Sequence, residues 1–180
     1  MITNATLAIN AGAGADIITS NWGVNAAVAL SNVIYTIVAG DSTLTAYDKI
    51  TGFYKGAGAT PLSDTLNFTG AAIKPADGFT AVTVVGYTAA QLQVAAATTG
   101  LLSFTGTLSS TLTNQMVIDA YISTIDSRIA NLETVVWSSA SSTLVFNNNT
   151  LGDSVVELVG VTGVVSVGAA AAAANTVGIA

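Results

Sequence analysis

Between Asp41 and Phe68 the chain twice sets an aspartate at the head of a short apolar alternation that closes on a phenylalanine. The two units are Asp48-Lys-Ile-Thr-Gly-Phe53 and Asp64-Thr-Leu-Asn-Phe68. Such a pattern suits a strand with an acidic entry loop. The Gly/Ala/Pro stretch Gly56–Pro61 between the units is turn chemistry. A strand-head aspartate has two readings: it caps its own backbone two residues on, or, stacked with others at strand ends, it holds calcium. The same logic returns at Asp153–Val159.

The surrounding chain keeps this rhythm. Residues 2–9 alternate weakly through Ile2, Leu7 and Ile9. Ala11–Thr19 reads as one degenerate copy of the nonapeptide G-G-x-G-x-D-x-U-x, with Ala11 replacing the first glycine, Asp16 at the aspartate and Ile18 as the inward apolar residue. A simple loop ahead of a strand accounts for it equally well, since a roll needs several stacked turns to bury anything. Further strands are predicted at Ala26–Ala29, Val33–Ala39, Leu44–Tyr47, Lys49–Tyr54, Thr65–Thr69, Phe79–Tyr87 and Leu101–Thr105.

Two segments depart from strand character. Thr88 can cap a run of good helix formers, with Gly100 as its stop, which predicts a short helix over about 89–97. Thr113–Leu132 carries Met116, Val117, Ala120, Tyr121, Ile122, Ile125 and Ile129 on one wide face, with Asp119, Ser123, Asp126, Ser127 and Arg128 towards the other, and predicts an amphipathic helix over about 113–132. Thr134–Ser138, Thr143–Asn147 and Ser154–Val159, split by Ser/Ala and Asn/Gly turns, predict a C-terminal antiparallel meander, with Val161–Val167 as one more candidate strand. The six alanines Ala169–Ala174 suit either a helix or a strand against a partner. The expected fold is mainly β: stacked short strands, β-roll- or β-sandwich-like, as a single domain over 1–168 with an Ala-rich tail over 169–180.

A chain of 180 residues can bury roughly 70% of its unfolded surface. Only 8% of its residues are charged, against roughly 25% in an ordinary soluble domain. So few charges protect poorly against association and favour a chain packed against copies of itself. The net charge is −6, and Lys49, Lys55, Lys74 and Arg128 are too few and scattered for a nucleic-acid surface. The absence of Cys and His removes thiol catalysis, the usual zinc sites, haem ligation and His-based triads. The carboxylate pairs Asp119/Asp126 and Asp153/Glu157 read as solvated faces rather than acid–base machinery, so no enzyme is expected. Trp22, Trp137, Tyr54, Tyr87 and Tyr121 either fill the core or offer stacking faces for a carbohydrate. Leu158–Ala180 is uncharged, but its Gly, Thr, Ser and Asn content and β-branched runs suit strands and a tail rather than a membrane span. The N-terminus lacks the basic and long apolar regions of a signal peptide.

A Gly-Ala-Asp loop, Asp-x-Ile-x-x-Phe, Asp-Thr-Leu-x-Phe, an amphipathic helix and the hairpin with Asn147–Val161 follow in that order. Over roughly Gly12–Val167 this resembles the C-terminal regions of RTX-like bacterial surface proteins, the surface-layer-like and adhesin-like proteins exported by type I secretion. The resemblance implies calcium at Asp16, Asp48, Asp64 and Asp153. It also implies an extracellular or cell-surface location and an uncleaved C-terminal secretion signal in place of an N-terminal one. The tandem nonapeptide array is absent, so a toxin or protease role is not implied. The expected function is a structural protein that assembles with itself into a filament, sheath or surface lattice, with Met1–Asn10 and Val161–Ala180 as intersubunit elements. The alternative is a calcium-binding adhesin or carbohydrate-binding module that engages cell-surface glycans.

Overall fold

Aspartate-headed strands feed two sheets in turn. The computed structural model describes residues 7–20, 33–55, 64–69, 74–164, 166–169 and 176–179. The first five strands are β1 (Leu7–Asn10), β2 (Ile17–Thr19), β3 (Val33–Ile37), β4 (Asp48–Thr51) and β5 (Thr65–Phe68). β1, β3 and β5 pair in parallel in one sheet, while β2 and β4 pair in parallel in a second. The chain therefore coils between two sheets, laying one short strand on each per rung. This is the stacked-strand arrangement expected from the sequence, and the mainly β fold class holds.

The later strands extend both sheets. β6 (Lys74–Pro75), β7 (Phe79–Thr83), β8 (Gln93–Ala96) and β9 (Leu102–Thr105) come next, then a helical segment, then β10 (Glu133–Ser138), β11 (Ser142–Asn147) and β12 (Ser154–Val159). The last two strands are β13 (Val167–Ala169) and β14 (Thr176–Ile179). The first sheet runs β1-β3-β5-β14-β13, the second β2-β4-β12-β11-β10-β6, and β7-β8-β9 form a third. β10–β12 are the antiparallel meander expected. β14 pairs with β5, so the Ala-rich tail returns to the chain's own sheet. Ala170–Asn175 lies outside the described residues, as does the strand expected at Ala26–Ala29.

The second sheet is the middle layer. Val136, Val145, Val156 and Leu158 enter a core shared with the first sheet, against Val33, Tyr35, Ile37, Leu66 and Phe68. Val135, Leu144, Phe146 and Val155 enter the other core, against Val94, Val117, Ile118 and Tyr121. Burial on both faces is why the meander strands read as near-continuous apolar runs rather than alternations.

The amphipathic helix is present over Asn114–Arg128, and three other local expectations are corrected. The short helix over about 89–97 is a single turn, closed by Gln91 N and Leu92 N on Thr88 O, followed by β8. Leu92, Val94 and Ala96 are buried at alternate positions, and pairing with β7 and β9 overrides the helix propensity of the alanines. The long helix begins as expected, with Thr113 Oγ1 accepting from Met116 N, but it is α1 (Asn114–Ala120), a π-turn (Tyr121–Ile125) and a 3-10 turn (Asp126–Arg128). It stops short of Leu132 because Asn148 Nδ2 caps the carbonyls of Asp126 and Ile129, and Leu132 adopts a left-handed backbone, φ +71°. Leu44–Tyr47 is loop, and Val161–Val164 precedes rather than forms a strand. Among the described residues no helix is long and apolar enough to cross a membrane.

Candidate functional site

The strand-head aspartates bind backbone across rungs. β2 and β4 are in register with Ile17 opposite Lys49, which sets Asp16 beside Asp48. Asp48 Oδ1 accepts from Asp16 N at 2.9 Å, and Asp48 N donates to Ser42 Oγ at 2.8 Å. In the first sheet Ile34 faces Thr65, so Val33 faces Asp64. Asp64 Oδ1 accepts from Val33 N at 2.9 Å and its Oδ2 from Tyr54 N at 2.8 Å. In both sheets the carboxylate heading one strand takes the N–H at the head of its outer neighbour. The side chains do bind backbone N–H groups, but not two residues on as the sequence reading had it: Asp48 takes Asp16 N and Asp64 takes Val33 N of the adjacent rung.

Burial pushes both carboxyls up from the ordinary carboxylate value. For Asp48 the bond from Asp16 N opposes burial, and the charges of Asp16 and Asp41 add to it. For Asp64 the bonds from Tyr54 N and Val33 N oppose burial. Asp16 Oδ2 is a buried oxygen with no hydrogen-bond partner. The turns ahead of these aspartates also stack, with Gly14 N donating to Asp41 O at 3.0 Å. Gly52, φ +86°, packs where a Cβ would collide with the Ser20 carbonyl oxygen of the previous rung.

The four aspartates implied as calcium ligands therefore divide among three places. Asp16 and Asp48 sit side by side, Asp64 heads β5 in the other sheet, and Asp153 precedes β12. Both Asp64 oxygens are occupied by backbone N–H groups and fit a cation poorly. Asp153 Oδ1 accepts from Asn149 N at 3.0 Å. Burial pushes its carboxyl up, the Asn149 bond opposes this, and the charge of Asp126 adds to it. Asp126, absent from the ligand set implied by the sequence, is thus the acid whose charge acts on Asp153.

Glu133, Glu157 and Asp119 have structural partners. Glu133 is buried and binds Lys74 at 2.8 Å, with Ala130 N on its second oxygen at 2.8 Å. Glu157 binds Lys49 at 3.0 Å and Asn114 Nδ2 at 2.7 Å, which separates it from Asp153 as an acid–base pair. Asp119 accepts from Gln115 Nε2 at 2.8 Å on an exposed helix face. Among the described residues no cluster of three or more acidic groups is placed to hold a metal. No family model, no curated protein and no solved structure matches this chain.

The ends of the coil differ. Among the described residues β1 and β2 are the outer strands of their sheets; they carry no charged residue, and Leu7 and Ile17 are 37% and 79% exposed. At the opposite end of the second sheet, β6 is Lys74-Pro75, a cation followed by a residue with no N–H to offer. β13, the far strand of the first sheet, is bound by Thr99 O through Val167 N at 2.8 Å.

Proposed function

We propose that this is a structural protein of the bacterial exterior that associates with its own kind through β-strand contacts, building a filament, sheath or surface lattice. The observation that carries the reading is the unequal treatment of the two ends of the coil. Sheet edges that must stay unpaired are blunted with lysine, proline or cover, as β6 and β13 are. Among the described residues the β1/β2 rung has none of these devices, and it turns Ile17 outward. An edge of this kind pairs readily with another chain. Low charge over the whole sequence supports the same reading, and the resemblance to type I-secreted surface proteins supports the location. A rung that pairs with its own copy closes as a dimer, so a filament or lattice requires a second contact.

Negative-stain microscopy of the purified protein across a concentration series tests this. Ordered assemblies are expected, and dispersed single particles at every concentration and calcium level would sink it. The second reading, a glycan-binding adhesin, draws on Tyr54 and Tyr87, which present rings at the surface. Binding on a glycan array that is lost in Tyr54→Ala and Tyr87→Ala would favour it. Calcium stabilisation belongs to both readings.

A further inference from the structure

The core between the first and second sheets loses its cover at the open rung. Ile9 on β1 faces Tyr35, and Ile18 on β2 faces Ile50. Tyr35 and Ile50 are fully buried, whereas Ile9 and Ile18 pack on the same core and are only partly buried. Among the described residues no strand lies beyond β1 or β2 in either sheet.

The edge of β2 also carries a self-complementary set of backbone groups. Lys49 N donates to Asp16 O at 2.8 Å, and Ser20 N donates to Thr51 O at 2.9 Å. Asp16, Ile18 and Ser20 therefore turn their backbone groups towards β4, and Ile17 and Thr19 turn theirs to the open side. An occupant of this edge has to offer an N–H and a carbonyl to each of Ile17 and Thr19, and an apolar side chain beside Ile18. A second copy of the same edge offers both. Antiparallel pairing centred on Ile18 sets Ile17 opposite the partner's Thr19, and Thr19 opposite the partner's Ile17. Each of these pairs exchanges two hydrogen bonds, and the two Ile18 side chains meet at the closer, non-hydrogen-bonded position. A slip of one residue sets outward groups against inward ones, and a slip of two leaves half of them unmatched. Charge agrees with this register. Asp16 falls opposite the partner's Ser20, so the two Asp16 carboxylates stand at opposite ends of the paired strands rather than face to face.

We propose that two copies of this chain join end to end by antiparallel pairing of β2 across a two-fold axis at Ile18, each closing the open core of the other. This pairing rests on the self-association reading above and gives it a register. It is isologous and uses up the open rung, so by itself it yields a closed dimer. A junction of such short strands is small, which places it among weak, concentration-dependent contacts.

The chain has no cysteine, so single-cysteine variants report the register directly. Ile17→Cys, Ile18→Cys and Thr19→Cys are oxidised mildly at matched concentration, and covalent dimers are followed by non-reducing electrophoresis. Leu151→Cys, at a loop position 77% exposed, measures random collision. Ile17→Cys mixed with Thr19→Cys should couple at least about tenfold faster than Leu151→Cys with itself. The mixed pair should also outpace either variant coupling with itself, since only the mixed pair lies directly opposite, about 5.5 Å apart at Cα. Ile18→Cys should couple with itself, its two copies being about 4.5 Å apart on the axis. Ile17 and Thr19 are both exposed, so the mixed pair reads the register even where Ile18→Cys does not fold. Mixed coupling no faster than that of Leu151→Cys, or matched by Ile17→Cys with itself, would overturn the proposal. Where the unaltered chain still associates in sedimentation, that result sinks this register alone. An unaltered chain that stays monomeric sinks the association reading and the pairing with it.

Discussion

Asp64 accepts a 2.9 Å hydrogen bond from the backbone N–H of Val33, the residue opposite it on the neighbouring parallel strand. Asp48 stands in the same relation to Asp16. An N–H at a strand entry on a turning coil has no ladder partner of its own, and a short acidic side chain from the next rung supplies one. The aspartates are therefore joints between rungs, and removing one should loosen the stack.

Asp64→Ala leaves the N–H groups of Val33 and Tyr54 without their acceptor at a residue only 4% exposed. A loss of about 2–4 kcal/mol is expected, with Asp64→Asn milder because one amide oxygen remains. Urea unfolding midpoints read both. Equal stability of Asp64→Ala and the parent would remove the joint from the account.

Gly52→Ala should cost about 2 kcal/mol or more, from a left-handed backbone conformation and a Cβ driven against the Ser20 carbonyl. Gly86→Ala is the control: its φ is +90° but a Cβ there meets nothing within 4 Å. Thermal unfolding of the two variants side by side should show the larger loss at Gly52, and a reversed order would contradict the stacked rungs.

Phe146→Ala empties the centre of the second core, where the ring stacks on Tyr121 and is fully buried. A destabilisation of about 3–5 kcal/mol is expected. A change under about 1 kcal/mol, measured by denaturant unfolding, would mean that the helical segment does not pack on the sheet as described.

Acid should stabilise rather than weaken this fold at first. Burial holds the carboxyls of Asp48, Asp64 and Asp153 above 3.8. Between 3.8 and those raised values the folded chain binds more protons than the unfolded one, so stability falls as pH rises through the window. Lys49 and Lys74 are raised above 10.5, chiefly by hydrogen bonds with Glu157 and Glu133, and their contribution is lost as pH rises through the folded values. Melting temperature at constant ionic strength should be higher near pH 4.5 than at pH 7, and should drop again above about pH 10.5. A steady fall from pH 7 to about pH 4.5 would show that other carboxylates dominate.

The parts of the fold legible in the sequence are those whose period is unambiguous. Thr134–Ser138, Thr143–Asn147 and Ser154–Val159 were readable as a meander because short turns force antiparallel pairing. Ile18 was readable as the inward residue of its turn, and it packs on the core while Ile17 faces out. The parallel pairing of β4 with β12 was not, since nothing local in Asp48–Thr51 names a strand so far along the chain. The alanines at 89–97 favoured a helix until two neighbouring strands claimed the backbone. The contact of Asn148 with Asp126 and Ile129 escaped the sequence reading because tertiary packing joins positions far apart in the chain. The one local signal was the polar run Asn147-Asn148-Asn149, out of place between two apolar strands.

The most direct measurement is sedimentation velocity of the unaltered chain and of Ile17→Lys over the same concentration range. The lysine sits at an exposed site and should alter stability by no more than about 0.5 kcal/mol. Concentration-dependent association of the unaltered chain, abolished in a folded Ile17→Lys variant, is the result predicted. A monomer at every concentration, or association that Ile17→Lys leaves intact, would contradict the open rung as the site where copies of this chain meet.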